Sequence, residues 1–286
     1  MLNRDWSTLK QAFWAWNEHE APRFAAALSF YSIVSLAPLV ILVIAIVSLA
    51  VGHASAQGQI ISEVQALIGA EGAKTVQAVI EHSKEPASSG FASLIGVITL
   101  LFGASGVFAE LQSALNKIWD VNPASESNIV SLIKARSFSF GLVLAVGFLL
   151  LVSLIVSAAL AALGKFAGEI LPLPEFVMGT MNFIVSFAGV SALFALLFKY
   201  VPNAKIHWAD VWEGAIATAL LFTIGKSLIA LYLGKAAVGS AYGAAGSLIV
   251  VVLWVYYSAM IFLFGAEFTH VRARWRRGSL RGHAEF

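Results

Sequence analysis

From Tyr242 to Phe268 the chain reads YGAAGSLIVVVLWVYYSAMIFLFGAEF, with Glu267 as its one charged side chain. About 20 helical residues at ~1.5 Å each cover the ~30 Å hydrocarbon core of a bilayer. A helix at the surface of a soluble domain keeps a charged or amide-bearing face toward water. This stretch offers no such face, so it is a membrane span, and the rest of the chain has to be compatible with lipid.

Five more stretches repeat the pattern, giving spans at about 25–51, 91–109, 138–163, 176–198, 208–233 and 244–268. Charged residues make up 12% of the chain and hydrophobic ones 59%, against roughly 25% charged in soluble domains. The expected fold is an all-α integral membrane protein: six transmembrane helices in one domain, 25–268, with amphipathic interfacial helices and no large soluble module. The 286 residues contain no cysteine, which excludes disulfides and thiolate metal sites. The opening MLNRDWSTLKQAFWAWNEHE is too polar and tryptophan-rich for a cleaved leader.

Residues 1–24 place Trp6, Leu9, Phe13 and Trp16 at helical spacing, as an amphipathic helix lying at headgroup level would. A helix packed on its own protein is the alternative. Pro38, inside span one, removes the donor for the Val34 carbonyl and predicts a kink there. The acidic interval 52–90 carries two amphipathic patterns, Ile60 to Ile68 and Val76 to Ile80, which predict two short helices outside the bilayer. ELQSALNKIWD, behind span two, predicts a surface-lying helix, and 269–286 a basic tail.

Of the 18 lysines and arginines, Lys74, Lys84, Lys165 and Lys235 fall on the side opposite the termini, and Lys226 falls within a span. All the others flank the spans on the side of the termini. An excess of positive charge marks the cytoplasmic face. Both termini are therefore expected in the cytoplasm and the interval 52–90 outside.

RFAAALSFYSIVSLAPL in span one, LQSALNKIW after span two, the Tyr200/Pro202 turn and the Tyr242–Phe268 stretch together resemble the YihY/BrkB family of bacterial inner-membrane proteins. The resemblance covers nearly the whole chain and implies a multi-pass protein of the bacterial cell inner membrane. It implies no settled activity, since family members have carried the labels virulence factor, serum-resistance protein, transporter and, historically, ribonuclease BN. No catalytic residues come with it.

The ribonuclease label meets little support in the residues. A two-metal nuclease needs clustered histidines and aspartates to clamp the phosphate. Here His19, His53, His82, His207, His270 and His283 are scattered, as ordinary loop and interfacial residues are. No GxxxxGK[ST] loop is present to cradle a nucleotide. No catalytic residue, cofactor, metal or nucleic-acid partner is expected, and the chain reads as a non-enzyme. The arginines from Arg272 to Arg277 are expected to face anionic lipid headgroups.

Polar residues inside the spans are the remaining candidates. Residues three or four apart share a helix face, which aligns Thr99, Gly103, Gly106 and Glu110 in span two, and Asn182, Ser186 and Gly189 in span four. Span one aligns Ala25, Ser29 and Ser32, and span six Tyr256, Met260 and Glu267. Such stripes either pack helices closely or wall a polar pathway. Glu110, Glu213 and Glu267 lie near the cytoplasmic ends of their spans, where pairing with Arg23 or Arg272 competes with a gating role. Lys226 lies deeper, where a lysine costs up to ~3 kcal/mol. It either snorkels to the outer interface or meets an anion in a wet cavity.

Spans two and six also read alike, each opening on Ser-Leu-Ile and ending on Ala-Glu, as a duplicated hairpin would. The function expected from these features is transporter-like movement of a lipid or amphipathic anion. The alternative is a non-transporting envelope scaffold. Gly239-xxx-Gly243 leaves a homo-oligomer open.

Overall fold

In a computed structural model of the protein, residues 2–83, 90–121, 175–235 and 245–281 are described. The expected span at 138–163 and the Gly239/Gly243 pair lie outside them. Among the described residues no strand occurs, and seven helices follow in order: α1 Leu2–Glu18, α2 Ala21–Val51, α3 His53–Ser83, α4 Gly90–Ile118, α5 Glu175–Tyr200, α6 Trp208–Lys235 and α7 Gly246–Arg281. Three stretches are long and apolar enough to cross a membrane: Ala21–Ile41, Trp208–Ile229 and Gly246–Arg276. Ser186–Tyr200 is a shorter apolar stretch.

Backbone punctuation separates the first elements. Glu20 takes a left-handed conformation, φ 57°, and Pro22 sits in the first turn of α2, where its missing N–H leaves no bond unmade. α2 then runs through Pro38 to Val51 as one helix. Gly52 (φ 83°) turns the chain into α3, and Gly69 (φ 81°) breaks α3 into two segments. Both angles suit a residue without a Cβ. The two amphipathic patterns of the 52–90 interval thus correspond to two helical segments. They are not detached from the spans, because Val76 and Ile80 bury against Val40 and Ile44 of α2.

Two elements run further than their sequence patterns indicate. The LQSALNKIW segment is the last part of α4 itself, not a separate surface helix, and Leu115, Ile118 and Trp119 are buried in the main core. The basic segment after Phe268 is also helical, extending α7 to Arg281. Acidic partners on α6 and buried Val271 and Ala273 account for this extension, which the change from apolar to basic composition conceals.

Small residues set the helix pairings. A Cβ on Gly103 would meet Ser35, and one on Gly106 would meet Tyr31, so α4 lies close along α2 in the antiparallel sense. Between α6 and α7 the contact is reciprocal: Gly214 receives Thr269, and Gly265 receives Thr218. Each threonine hydroxyl donates to its own helix, Thr218 to the Gly214 carbonyl at 2.6 Å and Thr269 to the Gly265 carbonyl at 2.7 Å. Close backbone approach of this kind replaces the hydrophobic driving force that lipid cannot supply.

The main core gathers Phe108, Leu115, Phe194, Phe198, Phe262 and Leu263 with the turn residues Val201 and Ile206. It lies at the termini end of the bundle, where α1 docks on α7 and α4 meets the α5–α6 turn. Phe30, Ile98, Phe102, Phe183, Leu220 and Leu228 are exposed.

Candidate functional site

The charged and polar side chains of the described residues concentrate at the termini end. α1 docks on α7 through buried Thr8 and Ala12, and Trp16 Nε1 donates to the Met260 carbonyl at 3.3 Å. Trp6, Leu9, Phe13 and Trp14 point outward, Trp6 71% exposed. Three members of the predicted aromatic face are thus turned away from the bundle, while Trp16 is turned into it. Docked this way, α1 brings His19 Nδ1 to 2.6 Å from Glu267 Oε1. The Glu267 side chain is 0% exposed. Its Oε2 and the Trp119 indole Nε1 are buried without a hydrogen-bond partner among the described residues. The Trp119 ring packs against His270 at 5.0 Å between centroids, and His270 Nε2 lies 3.9 Å from Asp120 Oδ2.

A second cluster locks the start of α6 to the end of α7. Arg276 donates to Asp210 at 2.9 Å and also to Glu213, and Arg272 donates to Glu213. Asp210 is buried and each arginine is partly covered, so these pairs bind more strongly than exposed ones. A third cluster joins α4 to the α1–α2 junction through Lys117 and Glu20 at 2.7 Å, with Arg23 at 3.1 Å from the same carboxylate. The hydrogen bond from Lys117, and then the Arg23 charge, hold the Glu20 carboxyl below its ordinary range. Gln112 donates to the Val201 carbonyl at 3.2 Å and the Asn203 N–H to Asn116 at 2.8 Å, tying the α5–α6 turn to α4.

The residues singled out in the sequence do not form one site. Glu213 takes the arginine pairing expected as its structural role, with Arg276 added to Arg272. Glu267 pairs with His19 and not with an arginine, so its histidine partner is the residue that the scattered-histidine pattern hides. Glu110 is half-buried, unlike its counterpart Glu267, so the two Ala-Glu ends sit in different environments. Thr99 and Tyr256 are half-buried, and Ser186 is exposed. Asn182 lies on α5, its side chain outside the described set. Lys226 is half-buried on α6, and no described carboxylate pairs with it. No hydrogen bond or ion pair among the described side chains joins any two of these eight residues. No group of three histidine, aspartate or glutamate side chains able to hold a metal occurs among the described residues.

A family model described as virulence factor BrkB matches residues 12–285. The chain belongs to that family. Among its relatives, a UPF0761 membrane protein of Verminephrobacter eiseniae is 32% identical over 180 residues, covering 62% of this chain and 40% of that protein. A UPF0761 membrane protein of Rhodospirillum centenum is 27% identical over 273 residues, covering 92% of this chain and 58% of that protein. A Bacillus subtilis relative whose name calls it ribonuclease-like, YfkH, is 25% identical over 265 residues, covering 91% of this chain and 93% of that protein. The chain spans about half the length of the first UPF0761 relatives it matches, 40% and 58%. No solved structure matches it. Family, apolar helices and relatives agree that this is a membrane protein.

Proposed function

We propose that the chain crosses the bacterial inner membrane six times with both termini in the cytoplasm, and that it moves a lipid or amphipathic anion. In this reading five long helices, α2, α4, α5, α6 and α7, each make one crossing, and α2, α6 and α7 hold the stretches long and apolar enough for it. α4 ends beside Val201 and Asn203, at the same end of the bundle where α5 finishes. α5 has 26 residues, so at 1.5 Å each it begins ~39 Å away. With the span expected from the sequence at 138–163, the count is even. Basic residues crowd the termini end, as the cytoplasmic face requires.

The observation that carries the transport reading is Lys226. Eighteen residues into α6, about 27 Å along its axis, a half-buried ammonium stands without a described carboxylate. A cation within a span costs up to ~3 kcal/mol at the centre and less toward the ends, and an anionic headgroup passing along the helix offsets that cost. The termini end is held shut by the Gly/Thr contacts and arginine pairs, so the movement envisaged is gated there. In proteoliposomes, labelled anionic phospholipid or an amphipathic anion is expected to redistribute. Lys226→Ala is expected to slow it about tenfold, the equivalent of ~1.4 kcal/mol. A parent rate no higher than that of protein-free vesicles, or a variant rate equal to the parent's, would remove the proposal.

A second reading, an envelope scaffold without transport, is favoured by the stripe on α4. Gly103 and Gly106 are spent on packing against Ser35 and Tyr31, and the hydroxyls of Ser29, Ser191, Thr218 and Thr269 turn back onto their own helices. A scaffold of this kind predicts no movement of any lipid or anion, with or without Lys226.

A further inference from the structure

The contact between α1 and α7 has a property that does not depend on transport. Glu267 is wholly buried and His19 is 20% exposed. With one titratable proton bound between them the pair is neutral, whether as imidazolium and carboxylate or as imidazole and carboxylic acid. Without that proton a net negative charge is left fully buried, with Oε2 lacking any described donor. A lone buried charge costs several kcal/mol, and exposure to water relieves it.

The surrounding charges reinforce this. Glu18, at the end of α1, and Asp120, after α4, act on Glu267 as like charges. Glu20 is occupied by Lys117 and by Arg23 of α2. His270, one turn along α7, packs on Trp119 and faces Asp120. On α6, Asp210 and Glu213 are taken by Arg272 and Arg276. No described lysine or arginine pairs with Glu267, which leaves the proton on the His19 pair as the group that neutralises it.

We infer that His19 and Glu267 form a one-proton binding site that fastens the N-terminal helix to the bundle. While the pair holds the proton, α1 stays docked. When the proton leaves for bulk water, α1 lifts and Glu267 meets solvent. The docked state binds the extra proton, so raising the pH favours release.

The chain lacks cysteine, so single-cysteine reporters are unambiguous. Ala12, 0% exposed, faces the docking surface, and Gln11 beside it is exposed. The full chain in lipid nanodiscs, as Ala12→Cys or as Gln11→Cys, is labelled with a maleimide. The ratio of the two rates cancels the thiol's own pH dependence. The ratio is expected to rise several-fold between about pH 5 and about pH 8, the range in which histidine changes charge. Glu267→Gln, neutral throughout, is expected to give a flat ratio. His19→Gln alters a partly exposed residue and tests the same point if the first variant fails to fold. It removes one of the two groups that share the proton, so the rise is expected to be lost or displaced from the parent's. A flat ratio in the parent overturns the inference. So does a rise left unchanged by either substitution.

Discussion

Gly214 and Gly265 are the residues on which the α6–α7 pairing depends most directly. A Cβ at Gly214 would fall on the hydroxyl and Cβ of Thr269, and one at Gly265 on those of Thr218. Both threonines are buried and bonded to their own helices, so neither has room to retreat. Gly214→Val is expected to destabilise the protein by about 1–3 kcal/mol, the usual penalty of overpacking. Thermal unfolding in detergent checks this, and adding Thr269→Ala should recover part of the loss. Glu20 gives a contrasting expectation. Its carboxyl is held below its ordinary range by Lys117 and Arg23, so it favours the folded state above the unfolded carboxyl's pKa. That contribution is lost as the pH falls through the lower, folded value. Because the group is exposed, Glu20→Gln should lower the unfolding temperature only slightly at neutral pH. In acid the variant and the parent should converge.

At the scale of the helix, Gly69 is the joint of α3. Its φ of 81° is a conformation that side chains with a Cβ rarely adopt, and there is open space around it, so strain and not collision decides the outcome. Gly69→Ala is expected to cost about 1 kcal/mol, readable as a lower unfolding midpoint with the other helices intact. The helices themselves were largely legible, because lipid solubility requires long apolar runs and those runs are local in sequence. Helix ends were less so. The polar flanks of α4 and α7 look like surface segments until their burial against other elements is seen, as with Leu115 and Ala273. Of the candidate site, the Glu213–Arg272 pair could be anticipated from their positions at two span ends. The pair of His19 and Glu267 could not, since 248 positions separate them and only the docking of α1 on α7 brings them together. A lone histidine beside a tryptophan-rich segment carries no signal of its partner.

For the whole molecule, the described helices give a bundle with one well-packed, ion-paired end and an apolar exterior. The end of α1, the α5–α6 turn, the end of α4 and the later part of α7 all meet at that packed end. In the proposed orientation this end faces the cytoplasm, and α3, packed against Val40 and Ile44 of α2, faces outside. Gating at the packed end and a headgroup path past Lys226 both presuppose this orientation. The most direct test uses thiol accessibility in intact cells. Gly58 on α3 is exposed with nothing near its Cβ position, while Gln11 on α1 and Ser113 on α4 are exposed at the packed end. A membrane-impermeant thiol reagent should label Gly58→Cys from outside, and Gln11→Cys or Ser113→Cys only after permeabilisation. Labelling of Gln11→Cys and Ser113→Cys in intact cells, with Gly58→Cys protected, would contradict the orientation and the functional account built on it.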